Sequence, residues 1–168
     1  VSAPGRPLAI TVGSVNAIDF DGVDDKLASG AVTAGTWTAM DFFIVVNLDT
    51  FSASGWLLGN DVGGSYFGVA QNGTGSSTAS GAGSPSYKIN GVAVPGGTSA
   101  TRDQLYDAIP TGGWLVVEAN GLDLSAWIQL QFGGYANFQL NGKCAELILC
   151  ESVSDAVRAQ VRTYLGAA

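Results

Sequence analysis

Four Asn-Gly dipeptides constrain the fold of this chain more than any other feature of its sequence. They occur at 72–73, 90–91, 120–121 and 141–142, among short runs of β-branched and aromatic residues. Asn and Gly both tolerate positive φ, so Asn-Gly between two such runs is typical of the two-residue turn of a β-hairpin. Strand-like runs at spacings of roughly 8–15 residues, joined by these turns, predict an all-β antiparallel sandwich.

The composition fits one turn-rich β domain. The chain has 168 residues, which is the usual size of one domain. Only 12% of the residues are charged, whereas 46% are hydrophobic and 24 are Gly, so the predicted surface is largely neutral. Residues 1–9 contain two Pro and little pattern. We therefore predict an extended N-terminal arm over 1–9 and a single domain over 10–168.

The charges and the rare residue types exclude several function classes. The net charge of −7 and seven scattered basic residues argue against nucleic acid as a partner. No apolar run reaches the roughly 18 residues of a membrane span. Histidine is absent, which removes Ser-His-Asp and Cys-His systems and nearly all zinc sites. Cys144 and Cys150 lie about 20 Å apart on one predicted strand, so they are predicted to be buried free thiols.

Two stretches carry the strongest secondary-structure signals. Residues 36–48 are dense in β-branched and aromatic residues and predict a central strand buried on both faces. Residues 135–165 predict a short strand, a turn, an apolar strand and a helix with Ser154 as its N-cap and Gly166 as its C-cap. The apolar face of that helix is predicted to be more buried than anything in the polar loop over 72–86.

Two motifs at the ends of the chain carry a resemblance to a known family. Residues 20–25 read FDGVDD, and residues 145–149 read AELIL, followed by VSD at 153–155 and a helix that ends in YL. In these motifs the chain resembles laminin G-like, concanavalin A-like jelly-roll domains, of the kind found in bacteriophage virion proteins such as head decoration, fibre and tail proteins. The resemblance implies an antiparallel jelly-roll β-sandwich with a short C-terminal helix.

The first motif lies in an acidic cluster formed by Asp19, Asp21, Asp24 and Asp25. Calcium needs six to eight oxygen ligands from carboxylates, carbonyls and water, and jelly-roll domains of the resembled type often hold one such ion. The predicted metal ligands are Asp21, Asp24 and, from a Gly-rich loop, Asp61. The alternative is ordinary turn and surface chemistry, with Asp19 and Asp21 facing solvent. Apart from calcium, no cofactor is expected.

Residues 127–132 alternate in polarity along a predicted strand. One face is apolar, and the other carries an indole and carboxamides, which suit a sugar because the ring stacks and the amides bond hydroxyl groups. The alternation recurs over 137–140. The predicted carbohydrate-binding residues are Trp127, Gln129, Gln131, Asn137 and Gln139. The alternative is an ordinary polar sheet face with the indole packed on a neighbouring loop.

No catalytic motif stands out, and the best pair of carboxylates is Glu118 and Glu146. A glycosidase pair must lie about 5–9.5 Å apart across a cleft, which the sequence does not indicate. We therefore predict a non-catalytic virion-surface structural or adhesion module, a head decoration or fibre-type domain that contacts host glycans. A dedicated lectin-like carbohydrate-binding module is the alternative, and a polysaccharide lyase or glycoside hydrolase is the third. The expected partners are other virion or surface proteins, glycans and further copies of the chain, at a virion surface or outside the cell.

Overall fold

Two antiparallel β-sheets pack face to face, and a ten-residue helix lies on the outside of the larger sheet. A computed structural model describes residues 7–32, 35–49, 54–60, 66–70, 79–80, 82–135 and 138–166. Every strand pair among them is antiparallel. The all-β prediction is confirmed.

The larger sheet has seven strands and the smaller one five. In spatial order, the larger sheet consists of β1 (Leu8–Val12), β2 (Val15–Asp21), β14 (Asn141–Glu151), β4 (Met40–Leu48), β10 (Trp114–Leu122), β8 (Ser86–Ile89) and β9 (Val92–Ala93). The smaller sheet consists of β3 (Leu27–Ala31), β11 (Gln129–Phe132), β5 (Ser54–Gly59), β6 (Tyr66–Ala70) and β7 (Ala79–Ser80). The remaining elements are the short pair β12 (Gly134–Tyr135) and β13 (Phe138–Gln139), the helices α1 (Arg102–Ala108) and α2 (Asp155–Tyr164), and a 3₁₀ turn at Gly97–Ser99.

Strand β4 is the fourth of seven strands, so the predicted central strand is confirmed, although it begins at Met40 rather than at 36. Phe42 and Ile44 point to the core and are fully buried. Asp41 and Phe43 point to the other face and are fully buried as well. Successive side chains of a strand face opposite sides, so the larger sheet must be covered on both faces at this strand.

The hydrophobic core lies between the sheets and draws its side chains from both of them. Phe20 of β2 meets Phe132 of β11 edge to face, with ring centroids 5.1 Å apart. The indole of Trp127 is only 1% exposed and belongs to the same core. These contacts join the first half of the chain to the second half across the sandwich.

One of the four Asn-Gly pairs makes the predicted hairpin turn among the described residues. Asn90 and Gly91 take φ values of 48° and 80° between β8 and β9. The pair at 120–121 lies inside β10 at a break in register, and the pair at 141–142 opens β14. Those two hairpin predictions are wrong, and the pair at 72–73 lies outside the described residues.

The C-terminal helix begins at the predicted cap, Ser154, and its C-cap is Leu165, one residue before the predicted Gly166. The Ser154 hydroxyl accepts a hydrogen bond from the Val157 amide, and Gly166 follows the helix with φ of 83°. The prediction of relative burial is wrong, however. Val157 is 40% exposed, whereas Ala82, in the stretch predicted to be a polar loop, is fully buried. Most of the stretch over 72–86 lies outside the described residues.

Other predictions fall near the ends of the described chain. Most of the predicted arm lies outside the described residues, and its last two residues, Leu8 and Ala9, belong to β1.

Cys144 and Cys150 both lie in β14 and are free thiols, as predicted, although Cys150 is only half-buried. Neither helix in the described part of the chain is long and apolar enough to cross a membrane.

Candidate functional site

The acidic cluster predicted from the sequence forms where β2 ends and the chain turns toward β3. Asp21 closes the strand, and its Oδ1 accepts hydrogen bonds from the amides of Val23 at 2.8 Å and Asp24 at 3.4 Å. This is the local bonding by which aspartate stabilises a tight turn. Carboxylate oxygens of Asp21, Asp24 and Asp25 lie within 4.8 Å of one another.

Asp25 is the residue of this cluster that the predicted ligand set missed. It is 2% exposed, and its Oδ2 accepts a hydrogen bond from the Asp21 amide at 3.0 Å. Its Oδ1 is buried without a hydrogen-bond partner. Burial raises the pKa of Asp25, and the charges of Asp21, Asp24 and Asp19 raise it further, while the Asp21 amide acts in the opposite direction. A buried carboxylate oxygen without a partner costs free energy.

The chemistry of this donor set fits a divalent cation. Three carboxylates in close reach are hard oxygen ligands of the kind that calcium takes, and the exposed Asp21 and Asp24 leave room for water to complete six to eight ligands. A cation would also satisfy the buried Oδ1 of Asp25. The structure therefore joins two of the predicted ligands to Asp25, and the third predicted ligand, Asp61, lies outside the described residues.

The predicted carbohydrate-binding face does not form as expected. Trp127 and Gln131 are 1% and 2% exposed, and Gln129 uses its side-chain amide to donate to the Ser29 carbonyl at 2.8 Å. The prediction that Trp127 and Gln131 share a solvent face is therefore wrong. Asn137, and the side chain of Gln139, lie outside the described residues.

The reason is that Trp127 precedes the strand. It closes a turn in which its amide donates to the Leu124 carbonyl at 2.9 Å, and β11 begins two residues later at Gln129. The alternation of a strand does not extend back into that turn, so Trp127 enters the core and Ile128 is 53% exposed instead.

Glu118 is sealed under the C-terminal helix. The carboxylate is fully buried, accepts a hydrogen bond from the Asn120 amide group at 2.9 Å, and forms an ion pair with Arg162 at 2.8 Å. Glu146 accepts a hydrogen bond from the hydroxyl of Tyr164, which raises the pKa of that tyrosine. The helix thus bonds to both members of the best carboxylate pair in the sequence, Glu118 and Glu146.

A second buried carboxylate anchors the same helix. Arg158 donates to both oxygens of Asp41, with Nε to Oδ2 at 2.8 Å and Nη2 to Oδ1 at 3.2 Å. Three further donors, on Gly121, Ser152 and Val153, bond to the same carboxylate. The arginine face of α2 therefore contacts the larger sheet, which explains the exposure of its apolar neighbour Val157.

The larger sheet splits between β2 and β14. Strand β14 pairs with β2 only over residues 141–144, and its last pair there joins Cys144 to Ile18. Beyond that pair β14 continues beside β4 to Glu151, while the start of β2 pairs with β1 alone. Residues 145–151 of β14 therefore form an edge without a strand neighbour on one side, among the described strands; we call these residues the free edge.

An apolar cleft of about 350 Å³ opens between the sheets beside the free edge. Leu147 and Leu149 of β14 line one wall, and Leu27, Leu130 and Phe132 of the smaller sheet line the other. Leu27 and Leu147 are 41% and 40% exposed at its rim. A groove of about 530 Å³ follows the split itself and shares three lining residues with the cleft, Ile18, Cys144 and Ala145. We call the cleft of about 350 Å³ between the sheets the inter-sheet cleft.

No protein-family model, curated protein or solved structure matches the chain. The resemblance carried by the two terminal motifs therefore stays a prediction.

Proposed function

We propose that this chain is a non-catalytic structural or adhesion module that is held in a larger protein assembly by the open side of its sandwich. The observation that carries the proposal is the inter-sheet cleft, with the leucines of β3 and β14 exposed at its rim. Apolar surface of this kind is stabilised when a partner covers it. The resemblance to domains of bacteriophage virion proteins makes a virion surface the expected setting.

The carboxylates of the larger sheet support the non-catalytic part of the proposal. Glu118 and Asp41 are fully buried, and arginines of α2 neutralise both of them. A general acid or base must reach its substrate, and these two groups serve instead to hold the helix. Sustained turnover of a polysaccharide by the purified chain would overturn this part of the proposal.

We also propose that the two sheets form a jelly roll of the concanavalin A type. The neighbouring positions of β2 and β14 near one edge of the larger sheet support this proposal, as does the crossing of the chain from β2 to β3 in the smaller sheet. An experimental structure whose strand connections differ from that topology would refute it.

Amine cross-linking of the native assembly tests the function. Lys26 is exposed and adjoins Leu27 at the rim of the inter-sheet cleft, whereas Lys88 lies on β8, toward the opposite edge of the larger sheet. We expect the chain to elute with a multiprotein particle of its source and to form cross-links from Lys26 to another structural protein, with fewer from Lys88. Replacing Leu27 with Asp should release the chain from the particle. A chain that elutes as a free monomer and forms no cross-links to another protein would refute the proposal.

A further inference from the structure

We propose that the free edge, residues 145–151 of β14, binds an extended segment of a partner protein as an added β-strand. This inference rests on the proposed function and names the partner's chemistry. An exposed strand edge presents backbone N–H and C=O groups that a peptide can pair with, and pockets beside it select the peptide's alternate side chains. The free edge adjoins such a pocket, the inter-sheet cleft, through Leu147 and Leu149.

The split in the larger sheet makes room for the added strand. Strand β2 leaves β14 after the pair of Ile18 with Cys144, and the groove between them runs along residues of β1, β2 and the start of the free edge. An added strand would therefore lie beside β14 at the place that the first residues of β2 leave open. Seven residues of β14 are available, which is about 23 Å of edge.

The alternation of β14 dictates an alternating partner. Leu147 and Leu149 face the inter-sheet cleft. Glu146 and Ile148 point to the opposite face of the sheet, beside their partners in β4, Val45 and Phe43. Side chains of neighbouring strands at matching positions share a face. The partner segment should thus carry an apolar residue at every second position, and these residues would enter the cleft.

Charge complementarity predicts a basic residue at one of the remaining positions of the partner. The free edge carries two acids and neither Lys nor Arg. Glu146 lies on the face opposite the leucines, whereas Glu151 ends the edge on the same face as the leucines. The chain as a whole has a net charge of −7. The nearest lysine, Lys143, is already paired with Asp19 and Asp49. A Lys or Arg of the partner opposite Glu146, between two of its apolar residues, would therefore meet opposite charge across the strands.

A short synthetic peptide tests this inference on the full chain. The probe is a capped seven-residue peptide in which Val alternates with Lys, and the control peptide has Glu in place of Lys. We expect the Val/Lys peptide to bind and to slow hydrogen exchange at backbone amides within 145–151. The Val/Glu peptide should bind about tenfold more weakly or worse. Equal affinity for the two peptides would overturn the charge argument, and unchanged exchange within 145–151 would overturn strand addition.

Variants on two edges of the larger sheet complete the test. Leu147→Asp places a charge at the cleft rim, whereas Val92→Asp places the same charge on β9, where Val92 is 71% exposed. We expect Leu147→Asp to abolish binding of the Val/Lys peptide and Val92→Asp to leave it unchanged. Equal binding by both variants would overturn the inference. The exchange measurement on the unmodified chain stands even if Leu147→Asp fails to fold.

Two further outcomes separate this inference from the function on which it rests. Cross-links from Lys26 to a partner, together with unprotected amides within 145–151, would retain docking at the cleft and overturn strand addition. Sedimentation could instead show a dimer of the chain that Leu147→Asp dissociates and Val92→Asp does not. That result would assign the free edge to a second copy and overturn the basic partner proposed here.

Discussion

Replacement of Arg158 with Met tests whether buried ion pairs hold α2 to the larger sheet. Asp41 is fully buried and accepts two of its five hydrogen bonds from Arg158. The other three come from the Gly121 amide at 3.3 Å, the Ser152 hydroxyl at 3.1 Å and the Val153 amide at 3.0 Å. In the variant a buried negative charge would remain with these three uncharged donors.

The size of the effect follows from that arrangement. Removing one partner of a buried ion pair costs about 3–5 kcal/mol, because the remaining charge is not compensated. Three surviving donors place the expected loss at the lower end, about 3 kcal/mol. For a domain of this size each 1 kcal/mol changes the Tm by about 2–4 °C. Arg158→Met should therefore lower the Tm, followed by circular dichroism, by about 6–12 °C.

Lys143→Met is the matched control. Lys143 pairs with Asp19 and Asp49, whose side chains are 38% and 49% exposed, and exposed pairs contribute about 1 kcal/mol or less. The double variant Asp41→Asn with Arg158→Met should lose less stability than the two single changes added together, because neither charge remains. If Arg158→Met lowers the Tm no further than Lys143→Met does, the three remaining donors suffice for Asp41 and the reasoning fails.

Three further predictions concern the cation site, the strand contact at Gly142 and the thiols. The pKa of Asp25 is raised in the folded chain, so its negative charge destabilises the fold above that pKa. Asp25→Asn should therefore raise the Tm at neutral pH, measured with a chelator present. The gain in Tm should vanish below the ordinary aspartate pKa of 3.8, where Asp25 is protonated in both states. Calcium at 100 times its Kd should stabilise the unmodified chain by about 2.7 kcal/mol and leave Asp25→Asn unchanged; equal calcium responses would dismiss the site. Gly142→Ala should lower the free energy of unfolding in urea by a few kcal/mol, because its Cβ would lie 2.5 Å from a backbone oxygen of β4 and its φ is 150°. Gly30→Ala, where a Cβ would lie in open space, should lower it by less than about 1 kcal/mol. Similar losses for the two variants would contradict the close contact at Gly142. Burial raises the pKa of Cys144 to about 12, so at mildly alkaline pH a thiol reagent should label Cys150 first and Cys144 only on unfolding; the reverse order would show that β14 is packed differently.

The parts of the fold that the sequence predicted correctly are those that depend on local chemistry. The β-branched run that ends at Leu48 forms the middle strand because most of its side chains are apolar on both faces. The Asn90-Gly91 turn needs the positive φ that both of its residues tolerate, and the Ser154 cap bonds to Val157, three residues later. Local chemistry was sufficient at these places because the residue types themselves favour the observed conformations.

The Asn-Gly pairs at 120–121 and 141–142 show where local chemistry is insufficient. Freedom at positive φ serves a turn, a bulge and a close backbone approach equally well. Gly121 takes φ of 81° at the register break of β10, and Gly142 lets the backbone of β4 approach β14 closely. The choice among the three uses depends on which strand lies alongside, and strand pairing is a long-range property of the chain.

The anchoring of α2 could not be predicted for the same reason, although all four residues were visible in the sequence. Asp41 lies opposite Asn120 on β10, and Glu118 lies two residues before Asn120. Asp41 and Glu118 are therefore diagonal neighbours on one face, about 7–8 Å apart. Arg158 and Arg162 are one helical turn apart, about 6 Å along the axis. The spacing of the arginines matches that of the acids only once β4 and β10 are paired in this register.

Without that pairing, the arginines indicate only the solvent-exposed face of an amphipathic helix, and the acids indicate only isolated polar residues in apolar strands. Asp41 was nevertheless a signal, because a carboxylate inside a run predicted to be buried on both faces requires a partner of opposite charge. The chain has only seven basic residues. Two of them lie four residues apart on the one helix that follows the last strand, and that helix is the element free to cover the outer face of β4 and β10.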